Sequence, residues 1–224
     1  MGNKVNNEKK KFDSTEVVFI LDRSGSMGGL EKETIKGFNS LLKKQKEDGG
    51  EVLWSTILFN DEYEVLHDRI PIEKMKRISE REYFVKGCTA LLDAVGRTIV
   101  HIRDLRRKEG DKAPVKTLFV ITTDGMENAS HEYTYRGIKQ MIKRQQEKSD
   151  WEFIFLGANI DAVGEAAKIG IRESRAARFI NDEKGIQKNY FTLTSAITQH
   201  RYLGRRMEES ALDDIKEDFD ERSR

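Results

Sequence analysis

Apolar residues along this chain fall into two alternating patterns: short unbroken runs, and longer stretches at helical spacing. The first run is EVVFILD, Glu16 to Asp22. It is closed by a carboxylate and fits a parallel strand buried on both faces. From Leu30 to Glu47 the residues Leu30, Ile35, Phe38, Leu41 and Leu42 recur among lysines and glutamates, which predicts an amphipathic helix stopped at Gly49 and Gly50. Val52 to Phe59 reads as a second strand. The segment around Tyr63 to Leu66 follows too soon for a parallel return, so an antiparallel edge beside that strand is expected.

Leu91, Leu92, Val95, Ile99, Ile102 and Leu105 mark a helix over Thr89 to Arg107. Pro114 separates it from another buried-looking run, Val115 to Thr123, which again ends on an aspartate, Asp124. A polar helix follows near Tyr133 to Glu147, then a strand at Trp151 to Ala158 and a short helix from Asp161 to Ile169. A weak strand at Ala176 to Ile180 and a helix from Glu183 to Arg205 complete the alternation. This order implies an α/β, Rossmann-like fold: an open, mostly parallel sheet with one antiparallel edge strand and helices on both faces. Residues 1–14 read as a disordered basic tail and 15–205 as the domain. The acidic stretch 206–224 reads as a helical or frayed extension outside the core.

A length of 224 residues suits one such domain with a substantial core. Charged residues make up 35% of the chain, yet Lys+Arg 40 and Asp+Glu 39 nearly cancel. No whole-molecule field is left to draw in nucleic acid or an anionic membrane. Cys88 is the only cysteine, which excludes an internal disulfide and a zinc site of several thiolates and points to a reducing compartment. No apolar run stands directly behind MGNKVNNEKKKF as in a secretory signal or membrane anchor, and no stretch approaches the roughly 20 apolar residues of a membrane span. Asn6 stands where a myristoylation motif needs Ser or Thr. A cytoplasmic protein is expected.

Candidate chemistry gathers at the ends of the predicted strands. Asp22, Ser24 and Ser26 lie in LDRSGSMGG directly after the first strand, where ligands of open parallel sheets bind. Alternate spacing lets one carboxylate and two hydroxyls converge, with glycines relieving the turn. Such oxygen donors select a hard cation. A small protein set completed by water suits octahedral Mg²⁺ or Mn²⁺, whereas Ca²⁺ usually demands more carboxylates. Taken singly, the serines and Thr89 read as turn and helix-cap chemistry.

Taken together, DRSGS, Thr89 in GCTALLDAV and Asp124 in FVITTDG resemble the von Willebrand factor type A family. Its metal-ion-dependent adhesion site reads Asp-x-Ser-x-Ser, then a distant Thr, then a distant Asp. The resemblance runs from about Glu16 to Leu203. It implies Ser24, Ser26 and Thr89 as direct hydroxyl ligands, with Thr89 released in a low-affinity state, and Asp22 and Asp124 acting directly or through water. It further implies a protein-binding module in which a partner's Asp or Glu completes the metal. Met27, Asn60, Asp61, Glu127 and Asn128 are candidate rim residues. An alternative is a regulatory or scaffold subunit, for example of an AAA-type ATPase complex or a stress or defence system.

An enzyme is not expected, and a metal-dependent hydrolase stands a distant third. Asp22 lacks the second aspartate of phosphotransferases, and the Gly-x-Ser-x-Gly, GxGxxG and P-loop motifs are all missing. Cys88 is expected as a small buried hydrophobe rather than a reactive thiol. His67, His101, His131 and His200 show no metal-ligand spacing, and the pairs Tyr190/Phe191 and Phe153/Phe155 are expected on core faces.

Overall fold

The computed structural model describes residues 14–109, 116–158, 160–203 and 207–223. A six-stranded sheet runs through the molecule. Its strands are β1 (Thr15–Asp22), β2 (Val52–Phe59), β3 (Tyr63–Pro71), β4 (Lys116–Thr123), β5 (Glu152–Ala158) and β6 (Ala176–Phe179), in the order β3-β2-β1-β4-β5-β6. All neighbours pair in parallel except β2 and β3, so the expected antiparallel edge is present. That edge is longer than its four apolar-pattern residues suggested. It runs on to Pro71 through a register shift, with Arg69 in the left-handed region at φ 49°.

Alternate residues of each central strand feed opposite faces, as a period of two requires. Val17, Phe19 and Leu21 meet α1 (Glu31–Glu47), α5 (Glu183–Leu203) and α6 (Asp213–Arg222). Val18 and Ile20 meet α2 (Leu91–Glu109), α3 (Tyr135–Ser149) and α4 (Ala162–Lys168). Helices therefore cover both faces. No helix among the described residues is long and apolar enough to cross a membrane.

One expectation gives way here. The acidic segment after Arg206 belongs to the core rather than lying outside it. Met207, Leu212 and Ile215 are buried in the same cluster as β1 and α5. Buried Arg175 fastens the segment by donating to the Met207 carbonyl and, at 2.9 Å, to the Glu208 carbonyl. Low apolar content misled because three of the few apolar side chains here, Met207 and Leu212 ahead of α6 and Ile215 within it, are buried. The expected basic tail falls outside the described residues except for Ser14, and so do Val115 and the last residues of the predicted helix ending at Arg205.

Candidate metal centre

Strand order reverses between β1 and β4, and the two strands leave a crevice beyond their carboxyl ends, where binding sites of such sheets form. Asp22 ends β1 and Asp124 follows β4. After Asp22 the chain stays extended at Ser24 (φ −68°, ψ 167°) and then folds into a single 3₁₀ turn, Gly25–Met27. The extended residue and the turn bring the two serines together, with Ser24 Oγ 3.0 Å from Ser26 Oγ.

A third hydroxyl arrives from far along the chain. Residues 85–89 run beside the serine loop, with Lys86 N donating to the Arg23 carbonyl at 2.9 Å and Gly25 N to the Gly87 carbonyl at 3.0 Å. Gly87 has φ 74°, and a Cβ there would overlap the Asp61 carboxylate. Thr89 follows, and its hydroxyl lies 3.0 Å from Ser24 Oγ. The helix itself begins at Leu91, two residues later than the sequence pattern suggested. The Thr89 amide donates to Asn128 Oδ1 at 2.9 Å, while Asn128 N donates back to the Thr89 carbonyl at 3.1 Å. Its hydroxyl thus turns toward the two serines.

The carboxylates flank these hydroxyls. Ser26 Oγ donates to Asp124 Oδ1 at 2.5 Å, and Asn181 Nδ2 donates to Asp124 Oδ2 at 3.0 Å. Asp22 is fully buried. It accepts from the Ser24 amide at 2.7 Å and from Thr123 Oγ1 at 2.5 Å. The Asp22 backbone carbonyl takes the hydroxyl of buried Tyr83 at 2.8 Å. Burial pushes the Asp22 carboxyl up to about 6 against those hydrogen bonds, with repulsion from Asp124 adding to it. Burial also raises Asp124, opposed by Ser26 and Asn181.

All five residues singled out in the sequence, Asp22, Ser24, Ser26, Thr89 and Asp124, therefore converge on one crevice. Gly125 closes its floor: a Cβ there would lie 2.5 Å from Thr89 Oγ1 and 3.0 Å from Ser26 Oγ. The close approach of three hydroxyls depends on that missing side chain. Among the described residues no group of three or more His, Cys, Asp or Glu is placed to hold a metal. The donor set is rich in neutral hydroxyls, with two carboxylates, and such a set fits Mg²⁺ or Mn²⁺ better than zinc.

The rim differs from expectation. Met27 and Asn60 are buried, and Asn60 is structural: its side chain donates to the Lys86 carbonyl at 2.9 Å and accepts from Glu62 N at 2.7 Å. Glu127 caps the start of α2 through Leu92 N at 2.9 Å and braces its own loop through the Ala129 and Ser130 amides. Asp61 and Asn128 are exposed. Met126, 64% exposed beside Gly125, was not foreseen as a rim residue. Cys88 is exposed rather than buried because it sits in the extended segment before α2. Phe191 likewise faces solvent, at 66% exposure, while Tyr190, Phe153 and Phe155 lie in the core.

Neither a family model nor a curated relative matches the chain. Solved structures do. A mutant of the PilB minor pilin from Streptococcus sanguinis is similar with a TM-score of 0.62 at 12% identity, over 90% of this chain and 65% of that one. A von Willebrand factor type A protein from Catenulispora acidiphila gives 0.57 at 14% identity, over 84% and 43%. The ArnB paralog VWA2 from Sulfolobus acidocaldarius gives 0.52 at 16% identity, over 85% and 46%. The chain spans less than two thirds of the length of each of these proteins. At such identities the likeness speaks for architecture alone, and that architecture is a von Willebrand factor type A-like fold.

Proposed function

We propose that this chain is a metal-dependent protein-binding module, not an enzyme. One Mg²⁺ or Mn²⁺ is held by the hydroxyls of Ser24, Ser26 and Thr89, and Asp124 and Asp22 supply the negative charge. Asp22 has both oxygens taken by Thr123 and the Ser24 amide, so it serves the cation through water. The observation that carries the reading is the convergence of three hydroxyls and two carboxylates over the Gly125 floor.

Neutral hydroxyls leave a divalent cation short of negative charge, so an Asp or Glu side chain from a partner protein gains strong electrostatic stabilisation as the outer ligand. A site lined only by carboxylates would repel it. The similar structures include a pilus adhesin and a minor pilin, which supports an interaction role of this broad kind. The single thiol supports a reducing compartment such as the cytoplasm.

Calorimetry on chelated protein tests the proposal. One Mg²⁺ or Mn²⁺ per chain is expected, with no Zn²⁺ preference. A folded protein that gives neither heat nor a melting shift with either ion overturns it.

A further inference from the structure

The last helix is joined to the candidate metal centre by two polar steps. Arg222, at the end of α6, pairs with Asp182 and also donates to Asp218 at 2.9 Å. Asp182 lies in the turn between β6 and α5, where its carboxylate accepts from Gly185 N at 2.7 Å and its amide donates to the Ile180 carbonyl at 2.9 Å. The residue before it, Asn181, is the one that donates to Asp124 Oδ2. Asn181 Oδ1 is buried and meets no donor among the described residues, so the backbone of this turn and the Asp124 contact set where the amide points. The turn in turn is pinned by Asp182.

We propose that Asn181 is a positioning residue for the metal centre and that Arg222 holds it in place, so that the docking of α6 sets metal affinity. This rests on reading the crevice as a cation site. With Ser26 on one oxygen of Asp124 and Asn181 on the other, the carboxylate is held in a single orientation facing the three hydroxyls. An amide suits the task because it donates to the carboxylate without adding a charge that would compete with a partner's acid. Groups that orient a ligand in this way typically govern affinity by 10–100-fold. The anchor is firm at its other end: Leu212 and Ile215 are buried, and the Arg178 guanidinium lies 4.6 Å from the Phe219 ring centre.

The test is Mg²⁺ titration of the full chain by calorimetry, each sample first checked for native circular dichroism. The set is wild type, Asn181→Ala, Arg222→Ala, Arg222→Lys and the double alanine variant. Asn181→Ala is expected to weaken Mg²⁺ by roughly 10-fold or more. Arg222→Ala is expected to weaken it by a smaller factor, Arg222→Lys to recover most of that loss, and Arg222→Ala to add nothing once Asn181 is gone. Should the alanine at 181 unfold the chain, Asn181→Ser is read in its place. If wild type binds Mg²⁺ and the 181 variant binds it equally, or if Arg222→Ala acts equally with and without Asn181, the inference fails while the site reading stands. No binding by wild type removes both.

Discussion

Thr123 Oγ1 lies 2.5 Å from Asp22 Oδ2, a contact across the two strands where the sheet order reverses. The hydroxyl donates to a carboxylate that is fully buried. Thr123→Val keeps the shape and removes the donor. Mg²⁺ affinity is expected to fall by about 10–100-fold, with stability lowered by roughly 1–3 kcal/mol for the unsatisfied group. Titration and thermal melts on the same sample check both. Unchanged Mg²⁺ affinity would show that Asp22 does not need this contact to serve the cation.

Asp124→Ala is expected to abolish the metal-dependent rise in melting temperature while leaving the circular dichroism spectrum intact. For wild type that rise reflects about 2.7 kcal/mol at a metal concentration one hundred times Kd. Asp124 stands at a strand end in the crevice, so its removal leaves the hydrophobic clusters untouched. Loss of the fold would instead make Asp124 a structural residue.

Asp22 contributes one part of the pH dependence of the metal-free protein. Its carboxyl is held at about 6 in the fold against 3.8 ordinarily, so the folded state binds that proton more tightly. The stability it contributes is full below about pH 4 and is lost as pH rises through 6, on the order of 2–3 kcal/mol. His200 acts oppositely. Burial lowers it from 6.5 to about 4, with Lys116 adding to the effect, so its contribution is present above pH 6.5 and lost as pH falls through 4. Comparing wild type with Asp22→Asn in EDTA isolates the first group: the variant should gain on wild type steadily between pH 4 and 6.5. Added Mg²⁺ should reverse that trend for wild type, because the cation needs the ionised form. A pH-independent difference between the two proteins would contradict the assignment.

Partner capture gives the functional prediction. Binding should require both the metal and a partner carboxylate, and should fail for Thr89→Ala even where some metal remains. Thr89 is tied through its amide and carbonyl to Asn128, so ligation there also bears on the loop that carries Met126. Pull-down with wild type, Thr89→Ala, and wild type in EDTA decides the matter. A partner retained equally by all three recognises another surface.

Much of this was legible because buried parallel strands write themselves as unbroken apolar runs. Asp22 and Asp124 are visible as the charges that end such runs, Ser24 and Ser26 are readable by their place directly after the first, and Thr89 stands out only through the family resemblance. Thr123, Tyr83 and Asn181 were not, since their contacts span 101, 61 and 57 residues and nothing local in the sequence marks them. Cys88 was misplaced for a related reason. Its exposure depends on a stretch that pairs with the serine loop instead of entering the helix. The helical extension at 206–224 reads as lying outside the core because average composition hides Met207, Leu212 and Ile215, which are all buried.

α6 also changes how copies of the chain can meet. A six-stranded open sheet has two rims of unpaired backbone, and such rims invite strand exchange and aggregation. Here the strand at one rim, β6, is only four residues long and packs against α6, and β3 is broken along the other by its register shift and by Arg69 in a left-handed conformation. Neither rim offers a long flat template. Clipping the chain before Leu212 would strip Leu212 and Ile215 from the cluster that holds Ala177 and Phe179 of β6, baring apolar surface of the kind that favours self-association.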